Sequence, residues 1–139
     1  MSYLLDTNVI SEAVRHRPEP RVQLWIENAP EDSLYTSALC LGEIVRGIEW
    51  LPEGSRRTRL QHWLENDLSA WFADRILDVD VAVASTWGRL VAKTADRQIP
   101  AVDGLLAATA LHHNLVVVTR NEAHFARAGV RVVNPWLAA

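Results

Sequence analysis

A single cysteine, Cys40, excludes an internal disulfide framework and a thiolate-built metal cluster. It stands in an apolar helical run, where its ordinary role is that of a small buried side chain. No apolar run reaches membrane-spanning length. The N-terminus has no charged stretch followed by a long apolar one, so no signal peptide is expected. Lysine is nearly missing: Lys93 is the only one, and the rest of the positive charge is arginine. Arginine suits two-point contacts to phosphate, although genome composition is the more ordinary source of such a bias. With a net charge of −3, a protein that coats nucleic acid over its whole surface is excluded, and a local basic face is not. A reducing, cytoplasmic setting without membrane contact is expected.

At 139 residues, one domain spanning 1–139 can bury a core large enough to fold alone. Six tryptophans are many for this length, and Trp50, Trp63 and Trp71, with Leu51, are candidates for an interface as well as for the core. Tyr3-Leu4-Leu5 reads as a buried strand that stops at Asp6, and a helical pattern starts at Asn8. His16-Arg17-Pro18-Glu19-Pro20 is a proline-punctuated loop. Val22, Trp25 and Ile26 recur at helical spacing, and Leu34-Tyr35-Thr36 is a short second strand. Ser37 is a good N-cap for a helix whose stripe is Leu41, Ile44, Val45, Ile48 and Leu51. Leu60, Trp63, Leu64, Leu68, Trp71 and Phe72 mark another amphipathic helix, opened by the basic stretch Arg56-Arg57-Thr58-Arg59.

Ile76 to Val79 reads as a third strand, and Asp80 as the cap of a helix carrying Val83, Trp87, Leu90 and Val91. Asp96 to Pro100 is a loop and Ala101 to His113 an alanine-rich helix. Leu115 to Thr119 is a β-branched run without alternation, as a parallel strand buried on both faces requires. A short helix over Glu122 to Ala128, ended by Gly129, precedes an edge strand over Val130 to Val133. Strands alternating with helices imply βαβ units. The fold class is α/β: a mainly parallel five-stranded sheet flanked by helices, an α/β/α sandwich.

Ligands of such sheets bind outside the carboxyl ends of the strands, where Asp6 and Asn121 fall. Taken singly, each polar residue has an ordinary structural reading. Asp6 can cap the following helix, and Asp103 can complement a helix dipole in the first turn. Asn121 can serve a turn. Glu43 lies nearly opposite its helix's apolar stripe, beside Gly47, and can simply face water. Together they would place several carboxylates in one cleft, where each raises the pKa of the others. Mg²⁺ relieves that repulsion using one or two carboxylates, several waters and substrate phosphate oxygens. The pattern therefore points to Mg²⁺ or Mn²⁺ acting on a phosphate ester.

Four stretches, in order and covering essentially the whole chain, carry a family resemblance. They are Leu4-Leu5-Asp6-Thr7-Asn8-Val9-Ile10-Ser11-Glu12; Thr36-Ser37-Ala38 with Gly42-Glu43-Ile44 and Gly47-Ile48; Ala101 to Ala110; and Leu115 to Asn121 with Phe125 and Asn134-Pro135-Trp136. The chain resembles the PIN-domain ribonucleases of the VapC toxin type, and among them the FitB-like members. The resemblance implies a Mg²⁺-dependent endoribonuclease, the toxin of a type II toxin–antitoxin pair. It maps the acidic site onto Asp6, Glu43 and Asp103, with Asp6 and Asp103 as the most direct metal ligands. Thr7, Asn8, Thr119 and Asn121 become surrounding polar or water-positioning residues. It also implies a homodimer, a cognate antitoxin laid across the groove beside the site, and operator DNA bound only through the antitoxin complex. The family often has a fourth acid where this chain has Asn121, or three residues later at His124; neither supplies a negative charge for a second metal.

The expected chemistry is RNA phosphodiester hydrolysis by a cation-activated water, with Glu43 orienting or deprotonating that water. No serine, cysteine or lysine stands out as an activated nucleophile. Arg46, Arg56, Arg57 and Arg59 are candidates for guiding the RNA backbone. Two alternatives stay open: a catalytically weak PIN protein acting through its antitoxin complex on operator DNA, and a phosphatase with Asp6 as nucleophile. The second would need another acid close by, and position 8 is Asn8.

Overall fold

The computed structural model describes residues 1–94 and 98–137. Strands β1 (Tyr3–Leu5), β2 (Leu34–Ser37), β3 (Ile76–Leu77), β4 (Val116–Val118) and β5 (Val132–Val133) form one sheet in the order β3-β2-β1-β4-β5. Every neighbouring pair is parallel. The chain steps outward from β1 through β2 to β3, then returns to the other side of β1 as β4. Loops leaving β1 and β4 therefore open a crevice at the carboxyl ends of these two strands. Register makes the two ends level: Leu5 lies opposite Val118, and the Asp6 amide donates to the Val118 carbonyl at 3.0 Å. Asp6 and Thr119 are thereby brought side by side.

Helix α1 (Thr7–Ala13) follows β1, and α2 (Pro20–Asn28) follows the proline loop. Ser37 caps α3 (Ala38–Glu49) by accepting from the Leu39 amide at 3.1 Å. The next helical run opens on the basic stretch, as its sequence implied. It comprises α4 (Ser55–His62), a π-helical segment Trp63–Leu68 and α5 (Ser69–Phe72). Ala73 ends it with φ +48°, and Arg75 clamps that end by donating to the carbonyls of Trp71 (2.8 Å) and Leu34 (2.9 Å). Asp80 caps α6 (Val81–Lys93) through the Val83 amide at 2.9 Å. The expected loop Asp96–Pro100 lies partly outside the described residues. Helices α7 (Ala101–His113) and α8 (Glu122–Arg127) complete the set.

Three strands are shorter than the sequence suggests: β3 pairs only through Leu77 and not as far as Val79, and the other two start late for identifiable reasons. The Leu115 amide closes the end of α7 on Ala110 (2.8 Å), so β4 begins at Val116. Val130 likewise donates back to Phe125 around Gly129, whose φ is +75°, and β5 begins only at Val132. That positive φ suits glycine. The core joins Leu4, Leu5, Val9 and Ile10 to Cys40, Ile44, Ile48, Leu68, Phe72, Val117 and Phe125. Fully burying each large member stabilises by about 1.5–3 kcal/mol. Val45, expected in the apolar stripe, is instead exposed: the buried line of α3 runs Cys40–Ile44–Ile48. No helix among the described residues is long and apolar enough to cross a membrane.

Candidate active site

Asp6 does two jobs. It caps α1, accepting from the Thr7 amide at Oδ1 (2.7 Å), and it is buried, only 4% exposed. Its Oδ2 accepts from the Thr119 hydroxyl at 2.8 Å. Burial pushes its pKa from the usual 3.8 up to about 6 against those two hydrogen bonds, and the charges of Asp103 and Glu43 push the same way. Asn8 bridges the two strand ends. Its amide nitrogen lies 3.4 Å from both Asp6 Oδ2 and Thr119 Oγ1, and its oxygen accepts from the Arg120 amide at 3.3 Å. Asn121 enters this network through its backbone, which donates to Thr119 Oγ1 at 3.0 Å; its side chain is exposed and caps nothing.

Glu43 reaches the same spot from α3. The spacing placed it nearly opposite the apolar stripe, but it sits one residue from buried Ile44 and is itself half-buried. Its Oε1 accepts from the Thr7 hydroxyl at 2.6 Å. Arg46 approaches Oε2 at 3.8 Å, an exposed pair that contributes little to stability. Asp6, Cys40 and Glu43 offer ligand atoms within 4.8 Å of one another. Cys40 is not a convincing donor: burial and the charge of Asp6 push its thiol up to about 11, and Sγ lies 3.7 Å from the Leu5 carbonyl. The remaining donors are carboxylate oxygens and a threonine hydroxyl, which suit a hard divalent cation rather than a soft one.

Asp103 stands in the first turn of α7, outside the 4.8 Å group but close enough for its charge to act on Asp6. Its Oδ2 is 2.5 Å from His124 Nδ1 on α8. Behind it, Gly104 lets α7 close on α6: a Cβ there would come within 3.2 Å of the Trp87 indole nitrogen.

From this cluster a groove of about 700 Å³ runs over α1, α3 and α4. Thr7 and Glu43 form part of its wall, and Arg15, Arg17, Arg56 and Arg59 line it. Arg57 faces elsewhere, paired with Glu49 at 2.6 Å. Arg46 lies over the exposed Trp50 ring, 5.2 Å from its centroid. Trp63, in the π-helical segment, also lines the groove. Sequence reasoning passed over Arg15 and Arg17, and over the residue that organises their loop. Glu12 is buried, and it accepts from Arg15 (3.1 Å) and from the Glu19 amide (2.9 Å). The signal was available, since Glu12 closes the first matched stretch and has an arginine three residues on.

A parallel sheet with acids gathered outside its central strands, beside a cationic groove, is the arrangement of a phosphodiester-processing α/β protein. The chain belongs to the PIN domain family, which it matches over residues 3–130. It is 41% identical over 135 residues to the toxin FitB of Neisseria gonorrhoeae, covering 96% of this chain and 97% of that one. It is 38% identical over 135 residues to the VapC ribonuclease Y4jK of Sinorhizobium fredii, covering 96% of each. The solved structure of FitAB bound to an IR36 DNA fragment superposes with a TM-score of 0.91 at 38% identity, over 99% of this chain and 97% of that one.

Proposed function

We propose that this chain is a divalent-cation-dependent endoribonuclease, the toxin of a type II toxin–antitoxin pair, built as one PIN domain and working in the cytoplasm. The observation that carries this reading is buried Asp6 feeling the charges of both Glu43 and Asp103, with Glu43 itself in the wall of an arginine-lined groove. The ribonuclease and toxin names of its relatives agree with it.

Asp6, Asp103 and Glu43 would hold Mg²⁺ or Mn²⁺, which when bound polarises a phosphoryl oxygen and acidifies water. Asp6 is fixed in place by Thr119 and the Thr7 amide, so its free lone pairs are oriented before any ligand arrives. Thr7 orients Glu43 through their 2.6 Å hydrogen bond, leaving Glu43 as the proton acceptor for the attacking water. Arg56 and Arg59, with Arg15 and Arg17, neutralise the RNA backbone along the groove. The DNA-bound FitAB relative supports an antitoxin partner and operator binding through that complex, and a homodimer is the assembly proposed.

The test is cleavage of single-stranded RNA by the antitoxin-free protein. Expected is cutting with Mg²⁺ or Mn²⁺, loss with EDTA, and loss in Asp6→Asn and Asp103→Asn that remain folded. Cutting that persists in EDTA, or in either variant, overturns the reading. The second reading, a catalytically weak protein acting through its antitoxin complex, is favoured by the lack of an acid at Asn121 and His124. It predicts no RNA cleavage under any of these conditions.

A further inference from the structure

Asp103 differs from the other two acids in how it is held. Asp6 is fixed by two strand ends and Glu43 by Thr7. Among the described residues, the only hydrogen-bond partner of the Asp103 carboxylate is His124. That contact joins α7 to α8 across 21 residues of sequence, so it is not a by-product of local helix geometry. The next residue, Phe125, is fully buried, which anchors α8 and with it the imidazole.

Resting on the cation reading above, we infer that His124 is a positioning residue: its Nδ1–H holds Asp103 Oδ2 and so presents the other carboxylate oxygen to the ion. A carboxylate can only accept, so the imidazole donates its Nδ1–H in this contact. Ligating carboxylates are commonly oriented by such outer hydrogen bonds, and losing one costs about 10–100-fold in metal affinity. Such a donor also differs in kind from an added acid: it orders a ligand already present.

The test measures Mn²⁺ affinity of the full-length, antitoxin-free protein by calorimetry at fixed pH, with metal-free thermal melts alongside. His124→Ala is expected to bind Mn²⁺ about 10–100-fold more weakly with an unchanged melting temperature. His124→Asn, whose amide nitrogen falls near the Nδ1 position, is expected to restore affinity. His124→Gln, with its donor one methylene further out, is expected to resemble His124→Ala. Wild-type affinity in His124→Ala, tighter binding there, or failure of Asn to rescue while the protein stays folded overturns the inference. Absence of Mn²⁺ binding by the wild type overturns the cation reading itself, and this inference with it.

Discussion

The Thr119 hydroxyl donates to Asp6 Oδ2 at 2.8 Å, joining residues 113 positions apart in the chain. The bond exists because β1 and β4 are adjacent, parallel and level at their carboxyl ends. It fixes an acid that burial would otherwise leave to protonate. Thr119→Val keeps the shape and removes the donor. Hydrogen bonds to charged groups contribute about 1.5–3 kcal/mol, so the variant should lose on the order of 1–2 kcal/mol at pH 7. Its Asp6 pKa should rise above about 6. Urea unfolding and an NMR titration of the Asp6 carboxyl measure the two effects.

The raised pKa of Asp6 makes the metal-free protein pH-dependent. Between pH 4 and 6 the folded state holds a proton that the unfolded chain has released. This group's contribution to stability is therefore complete below pH 3.8 and is lost as pH rises through about 6. The span is on the order of 3 kcal/mol. Asp6→Asn should thus be more stable than wild type at pH 8 without metal, by about 2 kcal/mol, while failing to bind the cation. Adding Mg²⁺ should stabilise wild type only. Denaturant melts across pH, with and without Mg²⁺, check the sign.

Arg56 and Arg59 line the groove while Arg57 is tied to Glu49, so adjacent arginines should behave differently. In an Asp6→Asn background, Arg56→Ala and Arg59→Ala should each weaken single-stranded RNA binding. Each should also lower the slope of log K against log salt by about 0.7. Arg57→Ala should change neither. Fluorescence anisotropy at several salt concentrations separates them.

Gly47 tests the groove from its wall. A Cβ added there meets nothing within 4 Å, so Gly47→Ala should stabilise α3 by about 0.5–1 kcal/mol through helix propensity. Gly47→Trp should fold as well but fill the groove, raising the KM for RNA at least as much as it changes kcat. Equal KM values for the alanine and tryptophan variants would show that RNA does not follow this groove.

The alternation of strand and helix was legible because each buried strand carries an apolar run and several helices open on a side-chain cap. Ser37 and Asp80 act as the caps their positions suggested. Strand ends were not legible. Whether Leu115 or Val130 pairs in the sheet depends on the amide being taken by a preceding helix end, at Ala110 or Phe125, and apolar spacing carries no record of that choice. In the site, Asp6 was visible as an acid ending a buried strand. Asp103 and Glu43 each looked ordinary alone, and the reading depended on combining them. The roles of Glu12 and of the Arg15–Arg17 loop were hidden, because they come from tertiary hydrogen bonds. The divergence of Arg57 from Arg56 and Arg59 follows ordinary spacing within α4, where residues three apart share a face and the next residue does not; it is missed when the three are taken as one basic cluster.

Asp6, Glu43 and Asp103 are proposed to share one divalent cation. A crystal of the antitoxin-free protein grown with Mn²⁺, phased for anomalous scattering, tests it most directly. One strong peak is expected, bonded to carboxylate oxygens of Asp6 and Asp103, with Glu43 bound directly or through water. A cleft without a peak at saturating Mn²⁺, or an ion bound elsewhere in the molecule, would contradict it.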